Sequence, residues 1–107
     1  MPNRPSQPSI FCVRLKAARM AVGMSQRQLG VAIGLDEFVA STRINRYELG
    51  VHQADIATAE RLAEVLGVPL AYFYAHDDRL ARLIVAFPLL APTDQEEVLA
   101  RLPSKEP

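Results

Sequence analysis

Residues 24–50 read MSQRQLGVAIGLDEFVASTRINRYELG, and their spacing predicts two short helices joined by a turn. Ser25, followed by Gln26, Arg27 and Gln28, fits an N-cap with glutamine at the third helical position, the capping-box arrangement. Leu29 and Ile33 sit four residues apart and form an inward stripe, to which Val31 and Ala32 add. Gly30 stands mid-helix, where glycine costs about 1 kcal/mol against alanine. A close crossing with another helix would explain why it is tolerated. Gly34 then stops the helix as a left-handed cap.

The second helix is clearest from Ser41 to Leu49, and Gly50 ends it. At 100° per residue, Ile44, Tyr47 and Glu48 fall on one side. Thr42, Asn45, Arg46 and Leu49 fall on the other, with Arg43 at the flank. One side is mostly apolar and the other mostly hydrogen-bonding. Two such helices with a glycine turn have the layout of a helix-turn-helix reader of DNA. Arginine bonds bidentately to guanine edges, asparagine to adenine, and the threonine methyl touches thymine. A merely solvated helix face would show the same polarity; the preceding helix and the turn argue for the reader.

The chain resembles the lambda-repressor-like helix-turn-helix family, of the Cro/C1 or Xre type. The residues that carry the resemblance are Arg19, GMSQRQLG at 23–30, Gly34, RINRYELG at 43–50 and RLAEVLGVPLAYFY at 61–74. They cover roughly residues 10–76. Between Gly34 and Ile44 there are about four residues more than the commonest family spacing, so LDEFVAST forms a longer turn or a longer helix start. The resemblance implies an ion pair between Arg19 and Glu48, fixing the preceding helix against the reader. It also implies phosphate contacts from the loop after the reader, at His52 and Gln53.

Charge supports a polyanion partner on one face. The chain of 107 residues has zero formal net charge, but residues 1–50 hold seven Lys/Arg against three Asp/Glu. Residues 51–107 hold five against nine, so the halves carry +4 and −4. The basic half contains the candidate reader. The length suits a single domain. One cysteine, Cys12, excludes a disulfide framework and reads as a small buried hydrophobe. His52 and His76 are far apart with no ligand spacing around them, so neither a metal nor another cofactor is expected. No leader or spanning segment is seen, which points to a cytoplasmic protein. No catalytic motif is present, and an enzyme is not expected.

The expected architecture is all-α: a compact five-helix, lambda-repressor-like DNA-binding domain with a C-terminal helical hairpin. Residues 1–9 form a flexible tail, 10–76 the helix-turn-helix domain, 77–103 the hairpin and 104–107 a frayed end. Ser9 caps a first helix with Phe11, Leu15, Ala18 and Val22 inward, and Arg14, Lys16 and Arg19 mostly elsewhere. Asp55 caps a helix with Ile56, Ala59, Leu62, Ala63 and Leu66 inward. Pro69 opens a short helix whose Leu70, Phe73 and Tyr74 plug the core. In the hairpin, Leu80, Leu83, Ile84 and Phe87 recur at helical spacing. Pro88 then ends or kinks the helix, Thr93 to Glu96 reads as a capping box, and Gln95, Val98, Leu99 and Leu102 line the inner face of the helix it opens. This hairpin either packs on its own core or dimerises.

The expected function is a sequence-specific DNA-binding transcriptional regulator, expected to be a repressor, using the helix around residues 41–49 in the major groove. Base-reading candidates are Ser41, Thr42, Arg43, Asn45 and Arg46. Phosphate-contacting candidates are Ser25, Gln26, Arg27, His52 and Gln53. One unit reads only a few base pairs, so a homodimer on a palindromic double-stranded operator is expected. The alternative is an antitoxin-like or other protein-interaction module, in which a protein partner comes first and DNA second.

Overall fold

Ser9 accepts a hydrogen bond from the backbone N–H of Cys12 and so caps helix α1, Ile10–Ala21. The computed structural model describes residues 9–104; the expectations for residues 1–8 and 105–107 lie outside them. α2 is Gln26–Ala32, α3 Glu37–Leu49 and α4 Ile56–Leu66. A 3-10 helix follows at Leu70–Tyr74, then α5 at Asp78–Ala86, a 3-10 turn at Phe87–Leu89 and α6 at Pro92–Ala100. No strand occurs among the described residues. The all-α expectation is met, and the fifth helix of the core is the 3-10 one.

Leu15, Leu29, Ile44, Leu62 and Phe73 are the largest fully buried side chains, one from each of α1 to α4 and one from the 3-10 helix. Five elements thus meet at one core, which stabilises the domain by removing apolar surface from water. Phe11 of α1 lies against Phe73 with ring centroids 5.0 Å apart. Asp55 caps α4 through the N–H of Thr58 at 2.8 Å. Hydrogen bonds from Thr58 hold the Asp55 carboxyl below the usual carboxylate range, since they favour its charged form.

Several expectations are corrected. Arg14 is not directed away from the core but buried. Its Nε and Nη2 donate to the Ala75 carbonyl at 3.0 and 2.8 Å, and Nη2 lies 3.0 Å from an Asp78 oxygen. Its guanidinium also stands 5.7 Å from the Tyr72 ring centroid. A buried cation persists there because its donors are satisfied. Val22, Ile56 and Tyr74 are exposed rather than inward. Val22 is the C-cap of α1, beyond the last inward turn, and Ile56 is the first residue of α4, before its first inward position.

The hairpin differs most from its expectation. Ala81 is the one residue of α5 that is buried, and α6 has none. Leu80, Leu83, Leu99 and Leu102 are all exposed. Thr93 is not the cap of α6: Ala91 occupies that position and Pro92 the first helical one. Proline's fixed φ suits that site, so the helix starts two residues earlier than the capping pattern suggests. Gln95 instead folds back, its Nε2 donating to the Phe87 carbonyl at 2.9 Å.

Candidate nucleic-acid interface

The site is the α2–α3 pair, and its geometry begins with Gly30. A Cβ at Gly30 would lie 2.6 Å from Ala40 Cβ and 2.8 Å from Ala40 backbone atoms. Only a residue without a side chain lets α2 approach α3 this closely, which accounts for a glycine inside a helix. The chain then turns through Gly34 at φ +97°, a left-handed conformation that favours glycine.

The additional residues after Gly34 resolve into a longer helix start. α3 begins at Glu37 rather than near Ser41, with Asp36 as its N-cap accepting from the N–H of Phe38 at 2.8 Å. Asp followed by Glu was the available signal, since a capping carboxylate and an acid in the first turn both favour a helix N-terminus. The reader is therefore one turn longer at its start, and Ser41 and Thr42 lie in its second turn.

Arg19 and Glu48 meet in a bidentate pair. Arg19 Nε donates to Glu48 Oε2 at 2.6 Å and Nη2 to Oε1 at 3.1 Å. The third guanidinium nitrogen donates to the Met24 carbonyl at 3.0 Å. The side chains are only 13% and 3% exposed, so water cannot substitute for either partner. Gln26 joins this network: its Nε2 donates to Glu48 Oε1 and to Asn45 Oδ1, each at 3.1 Å. A chain of bonds thus runs from α1 through Glu48 and Gln26 to Asn45 on the outer face. Asn45 keeps both amide donors and a second carbonyl lone pair for a base.

The outer face of α3 presents Ser41, Thr42, Arg43, Asn45 and Arg46, all exposed. Among the described residues neither Arg43 nor Arg46 has an ion-pair partner. Two guanidinium forks therefore stand free beside a fixed asparagine.

The phosphate candidates are arranged differently from one another. The Ser25 hydroxyl accepts from the N–H of Gln28, and Gln28 Oε1 accepts from the N–H of Ser25. Ser25 is committed to capping and Gln26 to the network. What α2 offers an anion is its first free backbone N–H groups. Arg27 is exposed and paired with Glu37 at 3.0 Å, a surface contact of about 0–1 kcal/mol that a phosphate can displace. His52 and Gln53 follow the α3 cap Gly50 and line a cleft of about 480 Å³ with Phe11, Cys12 and Tyr74. No group of three or more metal-ligating side chains occurs among the described residues. Nor, among them, is any helix long and apolar enough to cross a membrane.

Comparison with known proteins agrees with this geometry. The sequence profile of the Helix-turn-helix family matches residues 15–73, more than half of the chain. The crystal structure of the transcriptional regulator BswR superposes with a TM-score of 0.79 at 47% identity, covering 83% of this chain and 88% of that one. Two uncharacterised HTH-type transcriptional regulators, from Sinorhizobium medicae and Rhizobium meliloti, are each 28% identical over 61 residues. These 61 residues are 57% of this chain and 41% of each relative's length.

Proposed function

The chain belongs to the Cro/C1-type helix-turn-helix family, and from that premise we propose that it is a sequence-specific DNA-binding transcriptional regulator. The family is one of DNA-binding regulators rather than enzymes. The observation that carries the reading is the outer face of α3. A hydrogen-bonded asparagine stands there with two arginines that have no ion-pair partner among the described residues, on a helix locked to its neighbour by Gly30 and by the Arg19–Glu48 pair. Arg46, Arg43 and Asn45 read base edges, with Thr42 and Ser41 beside them. The α2 N-terminus, Arg27, His52 and Gln53 hold phosphates and set the register.

A second copy completes the operator. The exposed leucines of α5 and α6 support a homodimer through the hairpin, with Arg79 and Arg82 of one helix available to Glu96 and Glu97 of the other. Two readers about 34 Å apart then face one side of a palindrome. A site overlapping a promoter would make the protein a repressor.

The test is binding of the full chain to a duplex selected from random sequence and to a scrambled duplex, over a range of salt. Tight binding to the selected duplex that weakens steeply with salt is expected. Arg46→Ala should cost about 1–3 kcal/mol there and relax specificity at one base pair. Weak and equal binding to both duplexes would contradict the regulator reading and favour the protein-interaction alternative.

A further inference from the structure

The first turn of α3 carries a large apolar side chain outside the set of proposed base and phosphate contacts. Phe38 is 87% exposed, more than any other large apolar side chain among the described residues. Solvent exposure of a phenyl ring is unfavourable, and this ring is held out by a rigid helix rather than by a loop. Asp36 caps the N–H of Phe38 itself at 2.8 Å, and Ala40, two residues on, is wedged against Gly30. Glu37, between them, is held toward α2 by Arg27. Its carboxylate is thereby drawn away from the face on which Phe38 stands, about 100° further round the helix.

Helical spacing sets what lies beside the ring. Phe38, Thr42, Asn45 and Leu49 recur at i, i+4, i+7 and i+11, so they form one stripe along the outer face. Phe38 is continuous with the base-reading face and stands about 10 Å from Asn45 along the axis, toward the helix N-terminus. The N-terminal residues of a recognition helix are those that reach base edges. A phenyl ring can neither donate nor accept a hydrogen bond. The one feature of a major-groove edge that it can bury is the C5-methyl of thymine.

We infer that Phe38 packs against thymine methyl groups on the floor of the major groove, making the added first turn of α3 a specificity determinant. The inference rests on the proposed DNA reading. The protein would then require thymine at a step a few base pairs from the one read by Asn45, and would lose that requirement when the ring is removed.

The experiment is binding-site selection from random duplexes with the full chain and with Phe38→Ala. It is followed by affinity measurements on the selected duplex with deoxyuridine replacing thymine, one position at a time. Each replacement removes one methyl group and nothing else. The wild-type protein should lose roughly fourfold in affinity at one or two positions, the value of one buried methyl. Phe38→Ala should bind thymine and deoxyuridine equally at those positions, with an unchanged unfolding temperature because the ring is not part of the core. Asn45→Ala locates the neighbouring base pair and should leave the deoxyuridine effect in place. An identical selected sequence and identical deoxyuridine losses in Phe38→Ala would overturn the inference while leaving DNA reading intact. A wild-type protein that selects no sequence would overturn both.

Discussion

The α2–α3 pair and the α5–α6 hairpin both show apolar residues at helical spacing, yet one pair is closed and the other is open. In α3, Ala40, Ile44 and Tyr47 are buried, and Gly30 of α2 brings the two backbones together. In α5, Leu80 and Leu83 remain exposed, and in α6 so does Leu99. Periodicity states that a face is apolar; it does not state what covers it. What closes the first pair is specific: a glycine where a Cβ would collide, and a carboxylate with three donors converging on it. The hairpin has neither. Its start is tied to the core by Arg14, which reaches from α1 to the Ala75 carbonyl and Asp78.

This contrast can be broken most severely at Glu48. Glu48→Ala leaves the Arg19 guanidinium largely buried without its partner and should cost ~3–5 kcal/mol. Urea unfolding measures it, and a loss below 1 kcal/mol would mean that the pair does not hold α1 to the reader. Gly30→Ala comes next. Its new Cβ meets Ala40 backbone as well as side chain, so about 1–3 kcal/mol of overpacking is expected. Better helix propensity returns up to about 1 kcal/mol of that. Adding Ala40→Gly should recover only part of the loss, because the backbone contact remains. Smallest is the change at the hairpin. Leu99→Ser should shift the stability of a dilute, monomeric sample by no more than ~0.5 kcal/mol. A larger loss that grows with protein concentration would sharpen the contrast by showing that a second copy covers that face.

Much of the reader was legible in the sequence because its signals are local. Ser25 with Gln28, Gly34, Gly50 and the Ile44–Tyr47–Glu48 side each follow from backbone geometry within one helix. The start of α3 is less legible: Asp36 and Glu37 carry a capping signal, but the two-faced pattern is clear only from Ser41, and the extra residues after Gly34 fit a longer turn as well as a longer helix start. Arg14 was misplaced because its partners, Ala75 and Asp78, lie more than sixty residues away in sequence. The same limit applies at the hairpin, where the inward face was inferred from period alone. Of the site residues, Gln26 shows how a side chain can be committed before any ligand arrives. Its amide is already shared between Asn45 and Glu48, and no spacing rule contains that bond.

The central claim is that DNA is read by the closed pair and not by the open one. Backbone amide chemical shifts, followed as the selected duplex is added to the full chain, test it most directly. The largest changes should fall at residues 25–28 and along 37–53, with those in 79–100 small. Changes centred on α5 and α6, with α3 unmoved, would contradict the account.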